Sequence, residues 1–170
     1  MLIFIYMIKT IIFKNSIYPA FQAEGNAAQF VIPFAKHLCL GSGVDIGCHK
    51  EEWAFPGSKM VDLVFNNGED AFNFKGDGYD YVFSSHCLEH LENWTVALDY
   101  WKSKIKTGGV MFLYLPDFSQ EYWRPWNNRK HLHSFTPELL NAWFTENGFE
   151  NVFVSGVDLN NSFVIIGSKK

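Results

Sequence analysis

Short apolar runs alternate with helix-periodic segments along most of this chain. Runs of β-branched and aromatic residues bounded by Gly, Pro, Asp or Asn predict strands. In chain order they are Gly43 to Ile46, Lys59 to Leu63, Tyr79 to Phe83, Val110 to Leu115, Asn151 to Val157 and Ser162 to Ile166. The last two are separated by few enough residues for an antiparallel hairpin. The pattern predicts an α/β fold with a mostly parallel sheet and one reversed strand.

Helical periodicity predicts three helices, one before the first strand and two between later strands. The first helix follows Asn26, its expected cap, and is kinked or shortened at Pro33. The second runs from Asn93 to Lys106 and is ended by Gly108-Gly109. The third begins at Thr136-Pro137-Glu138 and stops at Gly148. Between the first two strands lie only residues 47 to 58. Because an ordinary crossover helix needs a dozen or more residues, we expect a loop or one to two helical turns there.

Composition favours one cytoplasmic domain over residues 1–170, with an apolar segment at 1–13 and a leading helix region at 14–40. The chain has 170 residues, 48% of them hydrophobic, which suits a single core. A net charge of -4 predicts no nucleic-acid partner. The chain has three cysteines and no C-x-x-C pair, which indicates neither a disulfide framework nor a zinc ribbon and favours a reducing compartment. We expect no metal ligand.

The apolar N-terminus is too short to cross a bilayer, and no basic residue precedes it. We therefore expect neither a membrane anchor nor a signal peptide. Met7 is an alternative start, in which case the first six residues would be an upstream extension.

Four segments together resemble the class I methyltransferases that use S-adenosylmethionine, in particular the broad group with a Leu-Glu-His signature. The segments are Val44-Asp45-Ile46-Gly47-Cys48, Tyr79 to Leu91 with its Ser-Ser-His-Cys-Leu-Glu-His stretch, Lys106 to Val110, and His131 to Leu140. They stand in family order. The resemblance implies a Rossmann-like sheet of seven strands, with the cofactor across the carboxyl ends of strands one, two and four.

The same resemblance implies which residues meet the cofactor. Asp45 and Gly47, followed by Cys48, would line the methionine portion, and Asp62 would accept hydrogen bonds from the ribose hydroxyls. The other implied contacts are Asp70 and Ala71 beside adenine, and Ser84, Ser85 and His86 at the end of strand four.

The chain departs from the family in its glycine-rich turn, where His49 and Glu51 replace glycines. Glycine there permits a positive φ and close backbone approach. A side chain at His49 is expected to crowd the methionine tail, and Glu51 to repel its carboxylate. An alternative function is therefore a methyltransferase-like module that binds cofactor or a partner without turnover.

Methyl transfer to a hydroxyl calls for a positioned base, and His86, His131 and His133 are the candidates. The loops at 18–26 and 117–133 are expected to form the acceptor pocket. Their aromatic and polar residues suit a small polar or sugar-type acceptor.

A competing interpretation comes from the stretch His86-Cys87-Leu88-Glu89-His90, which spells H-x-x-E-H. On a helix this spacing places two imidazoles on one face with a glutamate base, as in an inverted zinc metallopeptidase. Because a predicted strand ends immediately before the motif, this interpretation is the weaker one.

Overall fold

The computed structural model describes residues 9–20 and 25–170. A small antiparallel hairpin of β1 and β2 precedes a six-stranded sheet of order β4-β3-β5-β6-β8-β7. The strands are β1 (Thr10–Phe13), β2 (Ser16–Pro19), β3 (Gly43–Ile46), β4 (Lys59–Val61), β5 (Tyr79–Ser85), β6 (Ile105–Pro116), β7 (Phe149–Val154) and β8 (Ser162–Lys169). Strands β3 to β6 pair in parallel, whereas β8 runs antiparallel to β6 and β7. The predicted mostly parallel sheet with a C-terminal hairpin is confirmed.

Alternating side chains of the central strands enter two separate cores. In β5, Val82 faces one core, which includes Leu98 and Trp101. Its neighbours Tyr81 and Phe83 face the other. Helices therefore cover both faces, which is why β3 and β5 read as nearly continuous apolar runs.

The helices are α1 (Ile32–Ala35), α2 (Trp94–Lys104) and α3 (Pro137–Glu146), with 3-10 turns at Ala27–Phe30, Glu51–Trp53, Leu63–Phe65, Leu88–His90 and Glu121–Trp123. The Thr136 side chain caps α3 by accepting from the Leu139 amide at 3.3 Å, as predicted. Asn26, by contrast, has a left-handed backbone and makes no side-chain cap. The first helical region is split into a 3-10 turn and the short α1, whose second residue is Pro33.

Several predicted boundaries were wrong, among them that of the strand predicted at Asn151 to Val157, which lies at Phe149–Val154. Helix α2 ends at Lys104, not at Gly108-Gly109, since Ile105 pairs with Tyr79 and already belongs to β6. Strand β4 stops at Val61 because Asp62 caps the following 3-10 turn, accepting from the Val64 amide.

The sheet has six strands among the described residues, one fewer than the resemblance implied. Residues 62–78 form turns and one isolated bridge between Asp70 and Asn73, so β4 is an edge strand. The connection from β3 to β4 contains only the turn Glu51–Trp53, which confirms the expected short crossover.

The N-terminal hairpin packs on the loop after β6. The Phe13 ring lies 5.4 Å from Tyr122, and Lys14 pairs with Glu121 at 2.9 Å. Most of the apolar N-terminal segment and the proposed start at Met7 lie outside the described residues, as does part of the predicted pocket loop at 18–26. No helix within residues 9–20 and 25–170 is long and apolar enough to span a membrane.

Candidate active site

A cavity of about 540 Å³ opens at the carboxyl ends of β3, β4 and β5. This is where parallel α/β sheets generally bind ligands. Its lining includes most of the residues singled out from the sequence, namely Asp45, Gly47, Cys48, Asp62, Asp70, Ala71, Ser85, His86 and His131.

Gly47 shapes the turn at the end of β3. Its φ is +86°, and a Cβ there would lie 2.5 Å from both Cβ and Sγ of Cys87. Its amide donates to the Val61 carbonyl at 2.9 Å. Glycine is thus required both by conformation and by the close approach of the β5 end.

Asp45 is a buried acid beneath this turn. One carboxylate oxygen accepts from the Phe55 amide at 2.6 Å. Burial raises the pKa of Asp45 to about 7, with the Phe55 hydrogen bond opposing and Asp62 adding to the rise. Burial and the neighbouring acids also raise the pKa of the Cys48 thiol to about 12, so this thiol is neutral.

Asp62 and His49 join the ends of β3 and β4. Oδ2 of Asp62 accepts from the His49 amide at 2.9 Å, and Oδ1 accepts from the Val64 amide at 3.1 Å. His49 has a φ of 62°, so it adopts the left-handed conformation that a glycine would supply at this position. Its ring lies at the cavity wall near Trp53, whereas Glu51 is exposed and is not among the lining residues.

Asp70 and Ala71 form the opposite wall. Oδ1 of Asp70 accepts from the Phe72 amide at 2.7 Å, and the Ala71 carbonyl accepts from the buried Trp101 indole at 2.7 Å. Ser84 does not line the cavity, because its hydroxyl donates to the Ile46 carbonyl between β5 and β3. Ser85 does, and its buried hydroxyl has no partner among the described residues.

His86 leaves β5 with a left-handed backbone, φ 50°. Its Nε2 lies 3.0 Å from the Ser162 hydroxyl, and its Nδ1 lies 3.7 Å from Oε1 of Glu89. Burial, together with His131 and His90, lowers the pKa of His86 to about 3. The ring is therefore neutral at physiological pH, as a proton acceptor must be.

The sequence pointed to Glu89 and His90 only through the competing metallopeptidase interpretation and did not place them beside the predicted cofactor residues. Glu89 is fully buried, and neither carboxylate oxygen has a hydrogen-bond partner among the described residues. Burial raises its pKa to about 7, an effect that His90 partly opposes. The signal for them in the sequence is the H-x-x-E-H spacing, which in this protein forms a turn instead of a helix.

His131 reaches the same cluster from the loop after β6. Its ring stacks on Trp123 and meets His90 edge-on, with centroids 4.8 and 4.7 Å away. Burial lowers the pKa of His131 to about 3. The Glu89 carbonyl fixes the loop by accepting from the Leu132 amide at 2.8 Å.

His133 is not among the cavity-lining residues. Its Nε2 lies 3.1 Å from the Glu92 carbonyl, which directs the ring away from the cluster.

The metallopeptidase interpretation is wrong, because the motif is not helical. Only the turn Leu88–His90 is 3-10, and His86 has a positive φ. The two imidazoles are therefore not spaced by one turn of an α-helix.

The sheet order, the acids at the strand ends and the glycine turn define a Rossmann-like methyltransferase domain. The family model described as a methyltransferase domain matches residues 24–154, most of the chain. The chain therefore belongs to the class I S-adenosylmethionine-dependent methyltransferase family, whose cofactor is S-adenosylmethionine. No curated protein matches it significantly in sequence.

Solved structures share the fold. A methyltransferase from Thermotoga maritima superposes with a TM-score of 0.70 at 20% identity, covering 89% of this chain and 93% of that one. A methyltransferase from Archaeoglobus fulgidus superposes with a TM-score of 0.63 at 20% identity, covering 88% of this chain and 97% of that one. The N-methyltransferase NodS from Bradyrhizobium japonicum, solved with S-adenosylhomocysteine, superposes with a TM-score of 0.62 at 16% identity, covering 88% of this chain and 87% of that one.

The residues present fit the cofactor. The cavity volume is within the range of small-molecule sites, about 300–1,000 Å³. Asp45, Asp62 and Asp70 line it, and acids suit a ligand that carries a sulfonium and an ammonium. Each Asp62 oxygen already accepts one backbone amide hydrogen bond and still has a lone pair that could accept from a ribose hydroxyl.

Proposed function

We propose that this protein transfers a methyl group from S-adenosylmethionine to a hydroxyl of a small polar or sugar-type acceptor. When bound, the cofactor supplies a methyl carbon already activated by its sulfonium. The protein's task is then to position the acceptor, exclude water and remove one proton.

One observation carries the acceptor class. Two residues that line the cavity carry buried polar groups without a partner among the described residues: the Ser85 hydroxyl and Trp123 Nε1. A buried polar group without a partner costs about 1–3 kcal/mol. A ligand with several hydroxyls would satisfy both, whereas an apolar acceptor would leave them unpaired.

We assign the proton acceptor to Nδ1 of His86. The Ser162 hydroxyl donates to the Asn160 carbonyl at 3.2 Å, so it accepts from His86 Nε2, which therefore carries the ring hydrogen. That leaves a lone pair on Nδ1, beside the unpartnered Ser85 and Glu89. The lowered pKa of His86 keeps the ring neutral, so that Nδ1 can accept the hydroxyl proton, and it also makes this nitrogen a weaker base.

Cofactor binding and turnover require separate tests. Isothermal titration with S-adenosylmethionine should give saturable heat, and Asp62→Asn should weaken binding about tenfold through a lost charged hydrogen bond. The control Asp77→Asn changes an exposed acid that pairs with Lys104 at 2.9 Å, and it should bind as the wild type does. No heat and no thermal shift at millimolar ligand would defeat the proposal.

Turnover is then measured as S-adenosylhomocysteine released in the presence of a panel of monosaccharides and nucleotide sugars. His86→Gln should abolish release while retaining cofactor binding. Cofactor binding without release from any hydroxylated compound would instead favour the module that binds without turnover.

A further inference from the structure

Glu89, His90 and His131 converge at the cavity from two distant parts of the chain. Each offers one potential metal-ligating atom, and these atoms lie within 4.8 Å of one another. Nε2 of His90 is 3.8 Å from Oε1 of Glu89. Such a gap is too long for a hydrogen bond. It is close to the roughly 3.4 Å that separates two ligands placed about 2.1 Å from a tetrahedral ion.

The hydrogen-bond partner of His90 prepares it as a ligand. Nδ1 of His90 lies 2.6 Å from the Lys130 carbonyl. Since a carbonyl only accepts, Nδ1 carries a hydrogen, and Nε2 is the ring nitrogen left to ligate a metal. Metal-binding histidines characteristically donate their second ring nitrogen in this way.

Glu89 supplies an independent indication. Its side chain is completely buried, and neither carboxylate oxygen has a hydrogen-bond partner in the described part of the chain. A carboxylate in that position needs a cation or a set of hydrogen-bond donors. The nearest ring nitrogens, His86 Nδ1 and His90 Nε2, lie 3.7 and 3.8 Å from Oε1, which is too far for a hydrogen bond. A divalent ion would satisfy both the carboxylate and the imidazoles.

We propose that Glu89, His90 and His131 bind a divalent transition-metal ion, for which Zn²⁺ is the probe. Two imidazoles and one carboxylate suit borderline ions rather than Mg²⁺ or Ca²⁺. Three protein ligands leave one coordination position open toward the cavity. That position would take an oxygen of the acceptor, a role that rests on the proposed methyl transfer, whereas metal binding itself does not.

The test is titration of chelator-treated, full-length protein with Zn²⁺ by calorimetry, with native mass spectrometry giving the stoichiometry. The wild type should bind one ion. Glu89→Gln retains the shape without the charge, and His131→Phe retains an aromatic ring against Trp123 without the ligating nitrogen. Each should weaken binding at least tenfold, the order of loss expected when a metal site is damaged. His37→Ala, which changes an exposed histidine outside the cavity lining, should leave binding unchanged.

Circular dichroism and S-adenosylmethionine titration of the metal-free variants separate the outcomes. Glu89→Gln that remains folded and binds cofactor, but loses zinc, supports the metal site. Absence of zinc binding in the wild type, or equal affinity in folded Glu89→Gln, overturns it. Neither of those results bears on cofactor binding, which would fail separately if the methyltransferase proposal were wrong.

Discussion

The ring of His131 lies flat on the indole of Trp123, with centroids 4.8 Å apart and planes 9° from parallel. Trp123 in turn packs edge-on against Tyr122, which contacts the N-terminal hairpin through Phe13. A continuous series of rings thus connects the hairpin to the histidine cluster. The position of His131 is set by aromatic packing as well as by the backbone.

Trp123→Leu should therefore lower the free energy of unfolding by about 2 kcal/mol, because a buried ring contact is lost and volume is left unfilled. Trp123→Phe keeps a ring under His131 and should cost about 1 kcal/mol or less. Trp126→Leu, at a side chain that is 66% exposed, is the matched control and should change stability by no more than about 0.5 kcal/mol. Urea denaturation measures all three, and equal losses for Leu and Phe at position 123 would show that stacking is unimportant.

Gly47 and Gly57 make a matched pair, since their φ angles are +86° and +80°. Nothing lies within 4 Å of a Cβ at Gly57, whereas a Cβ at Gly47 would meet Cys87. Gly57→Ala should cost about 1 kcal/mol from backbone strain. Gly47→Ala adds steric overlap and should cost about 3 kcal/mol.

Only Gly47→Ala should also weaken S-adenosylmethionine binding, because the cavity wall must shift. Thermal unfolding and calorimetric titration of the two variants test this. Indistinguishable variants would mean that the approach of β3 to Cys87 does not shape the cavity.

Asp45 predicts a pH dependence of stability. Its ordinary pKa of 3.8 applies in the unfolded chain, while burial raises the native value to about 7. Between these values the native state binds more protons at Asp45, so the contribution of Asp45 to stability falls as pH rises from about 4 to 7, by on the order of 1 kcal/mol per unit. Glu89, whose pKa is raised, contributes in the same direction, whereas His86 and His131, whose pKa values are lowered, contribute in the opposite direction. Asp45→Asn can still accept from the Phe55 amide and should shift the slope of stability against pH upward by on the order of 1 kcal/mol per unit relative to the wild type.

Denaturant midpoints measured at intervals across this pH range give the slope. Asp77→Asn, at an exposed acid, is the control and should preserve it. A slope in Asp45→Asn that equals the wild-type slope would show that Asp45 does not make this contribution.

The fold was predictable because its strands and turns are encoded locally. Asp45 and Gly47 follow an apolar run, and a run of that kind ends where parallel sheets bind ligands. The seventh strand was expected only from the resemblance, since residues 66–78 lack a sustained apolar alternation and form turns with one isolated bridge. The end of α2 was also not predictable locally, because the pairing of Ile105 with Tyr79 decides it.

The histidine cluster could not be derived from sequence spacing. Glu89 and His131 meet only because the loop after β6 folds back and donates amides to the Glu89 carbonyl. Such a long-range contact has no local signature. The H-x-x-E-H pattern did mark residues of chemical interest, but the strand ending at Ser85 forces them into a turn instead of a helix.

His49 gives the sharpest test of the altered glycine turn. Its backbone is already left-handed, with φ 62°, and its amide donates to Asp62, so the turn is formed without glycine. His49→Gly should therefore change the S-adenosylmethionine dissociation constant by no more than about threefold. The same limit is expected for His49→Asn, since Asn also tolerates a left-handed backbone. His49→Val should weaken binding about tenfold, because a β-branched residue disfavours positive φ and pulls the amide away from Asp62. Calorimetry on the three variants measures these effects. If Gly and Asn weaken binding as much as Val does, the imidazole itself contacts the cofactor. If Gly tightens binding more than tenfold, the histidine crowds the methionine end of the site.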